Sequence, residues 1–386
     1  MSSVSVVIPC YNYGHYLEEA VASVLDDQPG VDVRVLIIDD ASTDDSAEVA
    51  RTLAARDPRI EVIVHESNKG HIATYDEGLL GWADGDYCVL MSADDRLTRG
   101  ALRRAADLLD AHPGVGFVYG SVIWFSDGLP VPAPRTDVRG WSVWSGRQWL
   151  EARFRHAQSG ITSPEVVVRT SLQKQVGGYD PRLPHLADTQ MWLRMAAHAD
   201  VGYLRGVDQA YYRRHAGNMS TAYTPVPTMR QYRLAYESAL ECFGDSVPNR
   251  QHLSELVHRR LAWEALVAAA RAYDRGRTPD TPVDDLVSFA RDCWPRSDKL
   301  PIYRTLQLRR RIGLRGMRYL KPLVLPFDIL RRGGSWWTRG SGWNGPNRSG
   351  LWRSATNLLE GALLVRPSER LSVRQGGLGR RPLSTE

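Results

Sequence analysis

The chain has 386 residues, 43% of them hydrophobic and 24% charged, which is enough for one sizeable core and a second, smaller unit. Its four cysteines form no CxxC pair, which argues against a zinc site or a disulfide framework, and no apolar run approaches the roughly 18 residues that span a bilayer. The net charge of +5 comes with no helix-turn-helix, zinc-finger or RNA-recognition signature, so we expect no nucleic-acid partner.

The first 120 residues alternate apolar strands with amphipathic helices. Strands are predicted at "VSVVI", "VRVLII", "IEVIV", "YCVLM" and "VGFVYG". Helices are predicted at "HYLEEAVASVL", from near Asp45 behind the cap residues of "STD", from about Ile72 to Ala83, and at "GALRRAADLLDAH". Continuous apolar strands separated by such helices predict an α/β fold with a parallel sheet covered on both faces.

Polar groups follow the strands where each one ends. The first strand leads into "PCYN", the second into Asp39 and Asp40, the third into "ESNKG" and the fourth into "SADD". Because ligands of such sheets bind beyond the carboxyl ends of the strands, we expect these groups to converge on one rim. No Gly-rich dinucleotide fingerprint and no GxxxxGK motif occurs, so phosphates are expected to be held through a divalent metal.

An ordered set of motifs resembles the family 2 glycosyltransferases, which have the GT-A fold and act with inversion. The set covers about residues 4 to 220. It consists of "VSVVIPCYN", "VLIIDDASTDDS", "NKG", "MSADD" and "GGYDPRL…ADTQMWLRMA…YRRHAGNMS". The resemblance implies a mostly parallel GT-A sheet sandwiched by helices, and a nucleotide-sugar donor linked to UDP or dTDP.

The first rim positions match the family's nucleoside contacts. The resemblance places Pro9, Tyr11, Asn12 and Asp40 around the nucleoside, with Asp39 in an assisting position. A tyrosine ring can pack on a flat base, and a carboxylate can accept the imide hydrogen of uracil or thymine. Turn and cap chemistry in "DDASTDD" is the alternative interpretation of the two aspartates.

Asp94 and Asp95 match the family's metal and ribose positions. The resemblance implies Mg²⁺ or Mn²⁺ bridging the diphosphate, which would neutralise the repulsion between the two adjacent carboxylates. Which of the two binds the metal is left open, as is a helix-capping role. Ser92 replaces the family's leading aspartate, so the DxD pattern is incomplete. In "HIATYDEGL", Tyr75 and Asp76 stand where the family often has Arg and Asn, so one expected cation is missing.

The acceptor half begins with a segment rich in tryptophan between residues 120 and 160. Its tryptophans suit stacking on sugars, but we favour the core interpretation. Asp188, in "ADTQMWLRMAAHA", matches the general-base position, with helix capping as its alternative role, although Ala187 replaces the Glu common before it. His215, in "YRRHAGNMS", matches a loop that closes over the diphosphate, where it could bind the metal or a phosphate.

The rest of the chain changes character beyond residue 224. Long helical periods predict a helical unit, and residues 304–321 carry six Arg and one Lys among apolar residues with no acid. Residues 331–386 contain ten Arg, no Lys and three Glu, so this tail carries +7 and residues 1–330 carry −2. The basic apolar stretch could contact an anionic membrane surface, or be a solvated helix followed by disordered chain.

These observations predict an inverting, metal-assisted glycosyltransferase that moves a sugar from its nucleotide to a hydroxyl acceptor, which could be a glycan, a lipid-linked glycan or a small molecule. We expect a GT-A domain over residues 1–222, with a nucleotide half to about 120 and an acceptor half from 121. A helical region over 223–330 and a flexible tail over 331–386 are expected to follow. We expect the protein in the cytoplasm, with peripheral contact to the inner membrane face as an option. A nucleotidyltransferase and a non-catalytic sugar-nucleotide-binding scaffold are the alternatives.

Overall fold

The structure, a computed structural model, describes residues 1–157, 160–218, 225–276 and 281–331. One sheet of nine strands lies at its centre. The strands are β1 (Ser3–Cys10), β2 (Asp32–Asp39), β3 (Ile60–Val64), β4 (Tyr87–Leu90), β5 (Arg96–Leu97), β6 (Val115–Phe125), β7 (Trp141–Trp144), β8 (Val166–Arg169) and β9 (Asp200–Arg213). Their order is β3-β2-β1-β4-β8-β6-β9-β5, and β7 pairs with β9.

Helices cover the sheet and continue beyond it. Those before residue 200 are α1 (Gly14–Leu25), α2 (Ser46–Arg56), α3 (His71–Asp76), α4 (Ala101–Ala111), α5 (Gly146–His156), α6 (Thr170–Val176) and α7 (Ala187–Ala196). Those after it are α8 (Pro225–Cys242), α9 (Arg250–Arg275), α10 (Val283–Cys293) and α11 (Pro301–Arg331). The GT-A type fold and the helical carboxyl-terminal region predicted from sequence are both confirmed.

The parallel part of the sheet is buried on both faces, as its apolar strands predict. Strands β3, β2, β1 and β4 pair in parallel. On one face Val6 and Ile8 of β1 belong to a buried cluster that includes Leu17 of α1. On the other face a Cβ atom at Gly78 would lie 2.3 Å from the side chain of Val7, so the helix there approaches the sheet at a distance that only glycine allows.

Two details differ from the sequence prediction. The helix expected from about Ile72 to Ala83 is α3 followed by a π-helical segment, Glu77–Trp82, which fits the closer approach at Gly78. Strand β6 does not pair directly with β4, because β8 lies between them and is antiparallel to both. The four residues of β8 are buried or half-buried and too short to be assigned from periodicity.

The carboxyl-terminal helices pack on the acceptor half of the sheet domain. Phe154 of α5 contacts Tyr236 of α8 with ring centroids 4.9 Å apart, and Arg309 of α11 pairs with Asp274 of α9 at 2.8 Å. Within α11 the backbone is non-helical at Gly313. The predicted flexible tail lies outside the described residues from 332 onward. Among the helices that are described, none is long and apolar enough to cross a membrane.

Candidate functional site

A cleft of about 580 Å³ opens at the carboxyl ends of the parallel strands. It is bounded by the ends of β1 and β4, the start of α3, and the loop before α7. Six of the nine predicted site residues line it: Pro9, Tyr11, Asp40, Asp94, Asp95 and Asp188. The predicted convergence on one rim is therefore present, and it includes the carboxylate expected from the acceptor half.

Asp40 is buried in the wall of the cleft and holds the turn after β3. Its Oδ1 accepts from the Lys69 N–H at 2.8 Å, and its Oδ2 accepts from the Gly70 N–H at 2.9 Å. His65 Nδ1 lies 2.7 Å from Oδ1, while His65 Nε2 lies 3.0 Å from Oε2 of Glu77. Burial raises the pKa of Asp40, but the hydrogen bonds from His65 and the two backbone N–H groups outweigh it and leave that pKa below its usual value.

Asn12 and Asp39 are not among the residues that line the cleft. Asn12 has a positive φ of 60°, and its Oδ1 accepts from the Thr43 N–H at 2.8 Å, which ties the loop after β1 to the loop after β2. Asp39 accepts from the Ser42 N–H at 3.1 Å, and its buried Oδ1 has no hydrogen-bond partner in the structure. These contacts are the turn chemistry that the sequence left open for this segment.

Asp94 meets the loop after β9. Its Oδ2 lies 3.0 Å from Nε2 of His215 and accepts from Nδ2 of Asn218 at 3.2 Å. His215 Nδ1 accepts from the Gly217 N–H at 3.1 Å, so Nε2 carries the ring proton and donates to Asp94. The structure therefore brings the predicted His215 against a predicted carboxylate, although His215 itself is not part of the cleft lining.

Asp95 is buried beside Asp94 and faces Arg213. Its Oδ1 accepts from the Arg213 N–H at 3.0 Å, and the Arg213 guanidinium donates to the Asp94 backbone oxygen at 2.9 Å. Arg213 also pairs with Glu19 and Asp127. Burial, followed by the charge of Asp94, raises the pKa of Asp95 well above its usual range. A cation placed beside the pair would lower this repulsion.

The donor set fits a divalent cation only in part. Among the described residues, no group of three or more histidine, cysteine or acidic side chains could hold a metal ion, so Asp95 does not complete a three-ligand site with Asp94 and His215. Carboxylate oxygens suit Mn²⁺ and Mg²⁺, and Mg²⁺ commonly takes one or two carboxylates with substrate phosphates and water. Nε2 of His215 carries its proton in this arrangement and donates to Asp94, so it is not a free ligand nitrogen. The residues present therefore fit a cation that shares its coordination with a diphosphate.

Asp188 lies in the first turn of α7 and lines the cleft. The residue before the helix is Leu186, so Asp188 is not the N-cap, but its Oδ1 accepts from the Thr189 N–H at 2.5 Å and satisfies a free donor of the first turn. Desolvation at the cleft wall raises its pKa to about 6. Its carboxylate also accepts from the Thr189 hydroxyl at 3.3 Å, so both of these hydrogen bonds lie within the first turn of the helix.

The two residues that replace the family's Arg and Asn have different surroundings. Tyr75 lines the cleft and packs edge-on against Tyr179 at 5.5 Å. Asp76 faces away from it, accepting from the Tyr179 N–H at 2.9 Å beneath Gly178, where a Cβ atom would lie 2.3 Å from the carboxylate. The motif "GGYD" is thereby anchored to α3, and the cleft gains an aromatic ring where a cation was expected.

The tryptophans of the acceptor half divide between core and cleft. Trp144 and Trp149 are buried, which confirms the core interpretation for them. Trp124 is 47% exposed, lines the cleft, and contacts Tyr212 with ring centroids 4.4 Å apart, so the core interpretation is wrong for this residue. Periodicity along β6 could not reveal this exposure, because Trp124 is the second-last residue of the strand and the pairing of β6 with β9 is irregular.

Three residues that the sequence did not single out hold the predicted carboxylates in place. They are His65, Arg213 and Asn218. His65 and Arg213 are polar side chains within or just after apolar strands, which is a weak signal of a buried polar network. Asn218 carries no such signal, because it contacts Asp94 across 124 positions of sequence.

The fold is of the GT-A type. Residues 5–166 match the family model of Glycosyl transferase family 2. Over these residues the chain is similar to that family.

Relatives from two bacteria and one set of solved structures agree with this assignment. Glycosyltransferase GlyG of Streptococcus pneumoniae is 36% identical over 92 residues, 24% of this chain and 30% of that protein. Poly(ribitol-phosphate) beta-N-acetylglucosaminyltransferase TarS of Staphylococcus aureus is 24% identical over 279 residues, 68% of this chain and 45% of that protein. The chain thus spans less than half the length of either relative. The crystal structure of TarS 1-349 in complex with UDP-GlcNAc matches with a TM-score of 0.57 and 18% identity, over 87% of this chain and 93% of that one.

Proposed function

We propose that this protein transfers a sugar from a nucleoside-diphosphate sugar to a hydroxyl acceptor, in one displacement with inversion at the anomeric carbon. The observation that carries the proposal is that one cleft is lined by Asp40, by Asp94, which lies beside His215, and by Asp188. A donor nucleoside, its diphosphate and an attacking hydroxyl each require one such group. Residues 1–222 form the proposed catalytic part, to which the helical residues 223–330 are attached.

Pro9, Tyr11 and Asp40 are proposed to hold the nucleoside. The Tyr11 ring is exposed at the cleft and available for a flat base. Asp40 Oδ2 accepts from the Gly70 N–H, and its second lone pair can accept an imide N–H. Because the Asp40 pKa is low, the carboxylate is ionised at neutral pH and accepts rather than donates. Uracil and thymine present such an N–H, and the likeness to TarS bound to UDP-GlcNAc supports a UDP-linked donor.

Asp94 is proposed to hold Mg²⁺ or Mn²⁺, with His215 as its partner. The bound cation supplies charge neutralisation for the diphosphate leaving group. For His215 to bind the cation, its ring proton must move from Nε2 to Nδ1, which gives up the hydrogen bond from Gly217. Without that shift, Asp94 would hold the cation, and Nε2 of His215 would be available to donate to a phosphate oxygen.

Asp188 is proposed as the general base that accepts the proton of the attacking hydroxyl. A pKa of about 6 lets it stay ionised at neutral pH while remaining a better proton acceptor than an ordinary carboxylate. Burial is the cause of that shift, because the cleft wall removes water from the carboxylate.

Nucleotide binding tests the donor and metal assignments together. Calorimetry of UDP and dTDP with the full chain should show binding that is stronger with Mn²⁺ than with EDTA, because no Lys or Arg of the described residues lines the cleft to neutralise the diphosphate. CDP is the control, since cytosine N3 carries no hydrogen to donate to Asp40. Equal affinity for UDP with Mn²⁺ and with EDTA would contradict the metal assignment. A donor-hydrolysis assay on the same sample separates an enzyme from a non-catalytic scaffold.

The rate of transfer should depend on pH through Asp188. Its carboxylate is the active form, so below about pH 6 the rate should fall by about tenfold per pH unit, and above it the rate should level off. The log of kcat/KM for acceptor, measured from pH 4.5 to 8, checks this. A profile that stays flat through pH 6, with UDP affinity constant over the same range, would remove Asp188 from the role of base.

The helix α11 supports the proposed contact with an anionic membrane. Apolar and basic side chains are exposed along it, and we call these residues the α11 face: Arg304, Leu308, Arg311, Leu314, Arg315 and Tyr319. Arg309 and Arg310, in contrast, pair with acidic residues of α9 and α10. A basic and apolar face attracts anionic lipid headgroups and inserts its apolar side chains among them.

Changing the three arginines of the α11 face to glutamine should weaken binding to vesicles that contain phosphatidylserine. Each Arg near the surface contributes about 1 kcal/mol, so the loss should be roughly tenfold or more at low salt and smaller as salt rises. Co-sedimentation of the full chain measures it. The matched control changes Arg51, Arg99 and Arg147, which are exposed elsewhere, to glutamine. An equal loss in both triple variants would mean that net charge, and not the α11 face, is responsible.

A further inference from the structure

We propose that the acceptor is an uncharged saccharide. The inference rests on the proposed function and deepens it, because it names the class of acceptor for the same cleft. Two independent features of the cleft carry it: the sign of the charges along its wall, and the aromatic rings at its acceptor end.

The charged side chains that line the described wall of the cleft are carboxylates rather than lysines or arginines. Asp40, Asp94, Asp95 and Asp188 line it, and among the described lining residues there is no Lys or Arg. Residues 158–159 and 219–224, which adjoin the lining residues Gly160 and Asn218 in sequence, contain no Lys or Arg either. A donor diphosphate adds further negative charge, which one divalent cation offsets only in part.

Cations close to the cleft are already paired with acidic side chains. Lys69 Nζ lies 3.0 Å from Glu77, and Arg213 pairs with Glu19 and Asp127. A phosphate, sulfate or carboxylate on the acceptor would therefore lose its hydration beside like charges, and no cation of the described lining would compensate. Hydroxyl groups meet no such penalty, because they donate to carboxylates.

Arg214 is the one nearby cation that needs separate treatment. Its side chain is exposed, and its guanidinium lies 5.3 Å from the centroid of the Trp124 ring, which is a cation–π contact. Arg214 does not line the cleft. We therefore expect Arg214 to contribute little to binding of the acceptor, and the experiment below tests that expectation directly.

The acceptor end offers ring surfaces that suit the C–H faces of sugars. Trp124 keeps 47% of its surface exposed and contacts Tyr212 at 4.4 Å, and both residues line the cleft. Tyr75 and Tyr179 line the part next to Asp188. Aromatic rings bury large apolar areas at low cost in conformational entropy, and a pyranose presents a matching apolar face. A flexible polyol phosphate, the acceptor named for TarS, presents neither such a face nor a neutral charge.

The test is binding of the full chain, with UDP and Mn²⁺, to a printed array of oligosaccharides. Neutral gluco-, galacto-, manno- and N-acetylglucosamine-configured oligosaccharides are compared with sulfated and sialylated oligosaccharides and with ribitol-phosphate oligomers. Signal should be at least tenfold higher on a neutral ligand than on any anionic one. Trp124→Ala should lower the neutral signal at least tenfold, whereas Arg214→Gln, which removes charge beside the same ring, should change it less than twofold.

Three outcomes would overturn the inference: a signal carried mainly by anionic ligands, a loss in Arg214→Gln as large as that in Trp124→Ala, or no neutral signal above that of Trp124→Ala. Calorimetry of UDP binding on the same samples distinguishes failure of this inference from failure of the proposed function. Intact UDP binding with any of these outcomes refutes only the uncharged acceptor, while absent UDP binding refutes the proposed function and this inference with it.

Discussion

Changing Asp188 to asparagine should lower sugar transfer by roughly 100-fold or more while the protein stays folded and binds its donor. The hydroxyl that attacks the anomeric carbon must lose a proton, and general-base catalysis is commonly worth about 10²- to 10⁴-fold. Asparagine has nearly the shape of aspartate but cannot take that proton. The measurement is kcat for transfer under saturating donor and acceptor, at a pH well above the Asp188 pKa of about 6.

The competing structural role of Asp188 predicts a different result. Its Oδ1 accepts from the Thr189 N–H, and an asparagine oxygen can accept the same bond, so thermal stability should be unchanged in either role. Asp180 supplies the matched control, because it is a carboxylate of the same segment that pairs with Arg182 outside the cleft. Near-normal transfer in Asp188→Asn, or an equal loss in Asp180→Asn, would show that Asp188 is not the base.

The nucleotide half of the cleft was predictable because its signals are local. Continuous apolar strands fix the parallel pairing of β1, β2 and β4, and parallel strands end at one edge, so Asp40 and Asp94 had to meet there. The motif order supplied Asp188, which no periodicity places near them. Its position in the same cleft follows from the loop before α7, whose path depends on the whole acceptor half.

The supporting contacts were not predictable, because they join distant parts of the chain. His65 touches both Asp40 and Glu77 only because β3 ends beside the π-helical segment. Strand β8 reaches the sheet from beyond residue 160, so its place between β4 and β6 has no local signal. Trp124 is exposed because the pairing of β6 with β9 shifts register before it, which alternation along one strand cannot show.

Ser92 stands where the family's leading aspartate would be, and the structure shows which polar groups remain beside it. The incomplete DxD pattern left open whether the carboxylates after β4 still face a ligand. Ser92, Asp94 and Asp95 all line the cleft. Asp94 faces His215, which lies in the loop after β9. The loss of the leading aspartate therefore leaves a carboxylate and an imidazole together, which is the pair that the metal proposal uses.

Changing Asp94 to asparagine should lower the affinity for UDP in the presence of Mn²⁺ by about 100-fold and leave the weaker affinity in EDTA nearly unchanged. Loss of a residue that only hydrogen-bonds to a metal ligand commonly lowers metal affinity by about 10- to 100-fold. Asp94 is proposed as a ligand itself, so its loss should cost at least as much. Asparagine keeps an oxygen for the hydrogen bonds from His215 and Asn218, so the loop after β9 should stay in place. Calorimetry with Mn²⁺ and with EDTA gives both affinities.

Asp95→Asn is the matched control, since it removes the adjacent carboxylate from the same buried pair. The pKa of Asp95 is raised well above its usual range, by burial and then by the charge of Asp94, so asparagine resembles the protonated form that this environment favours. An asparagine oxygen can still accept from the Arg213 N–H, now at 3.0 Å. Asp95→Asn should therefore keep most of the gain in UDP affinity that Mn²⁺ provides. If the two variants lose that gain equally, both carboxylates bind the cation; if neither loses it, the cation is held elsewhere and Asp94 does not bind it.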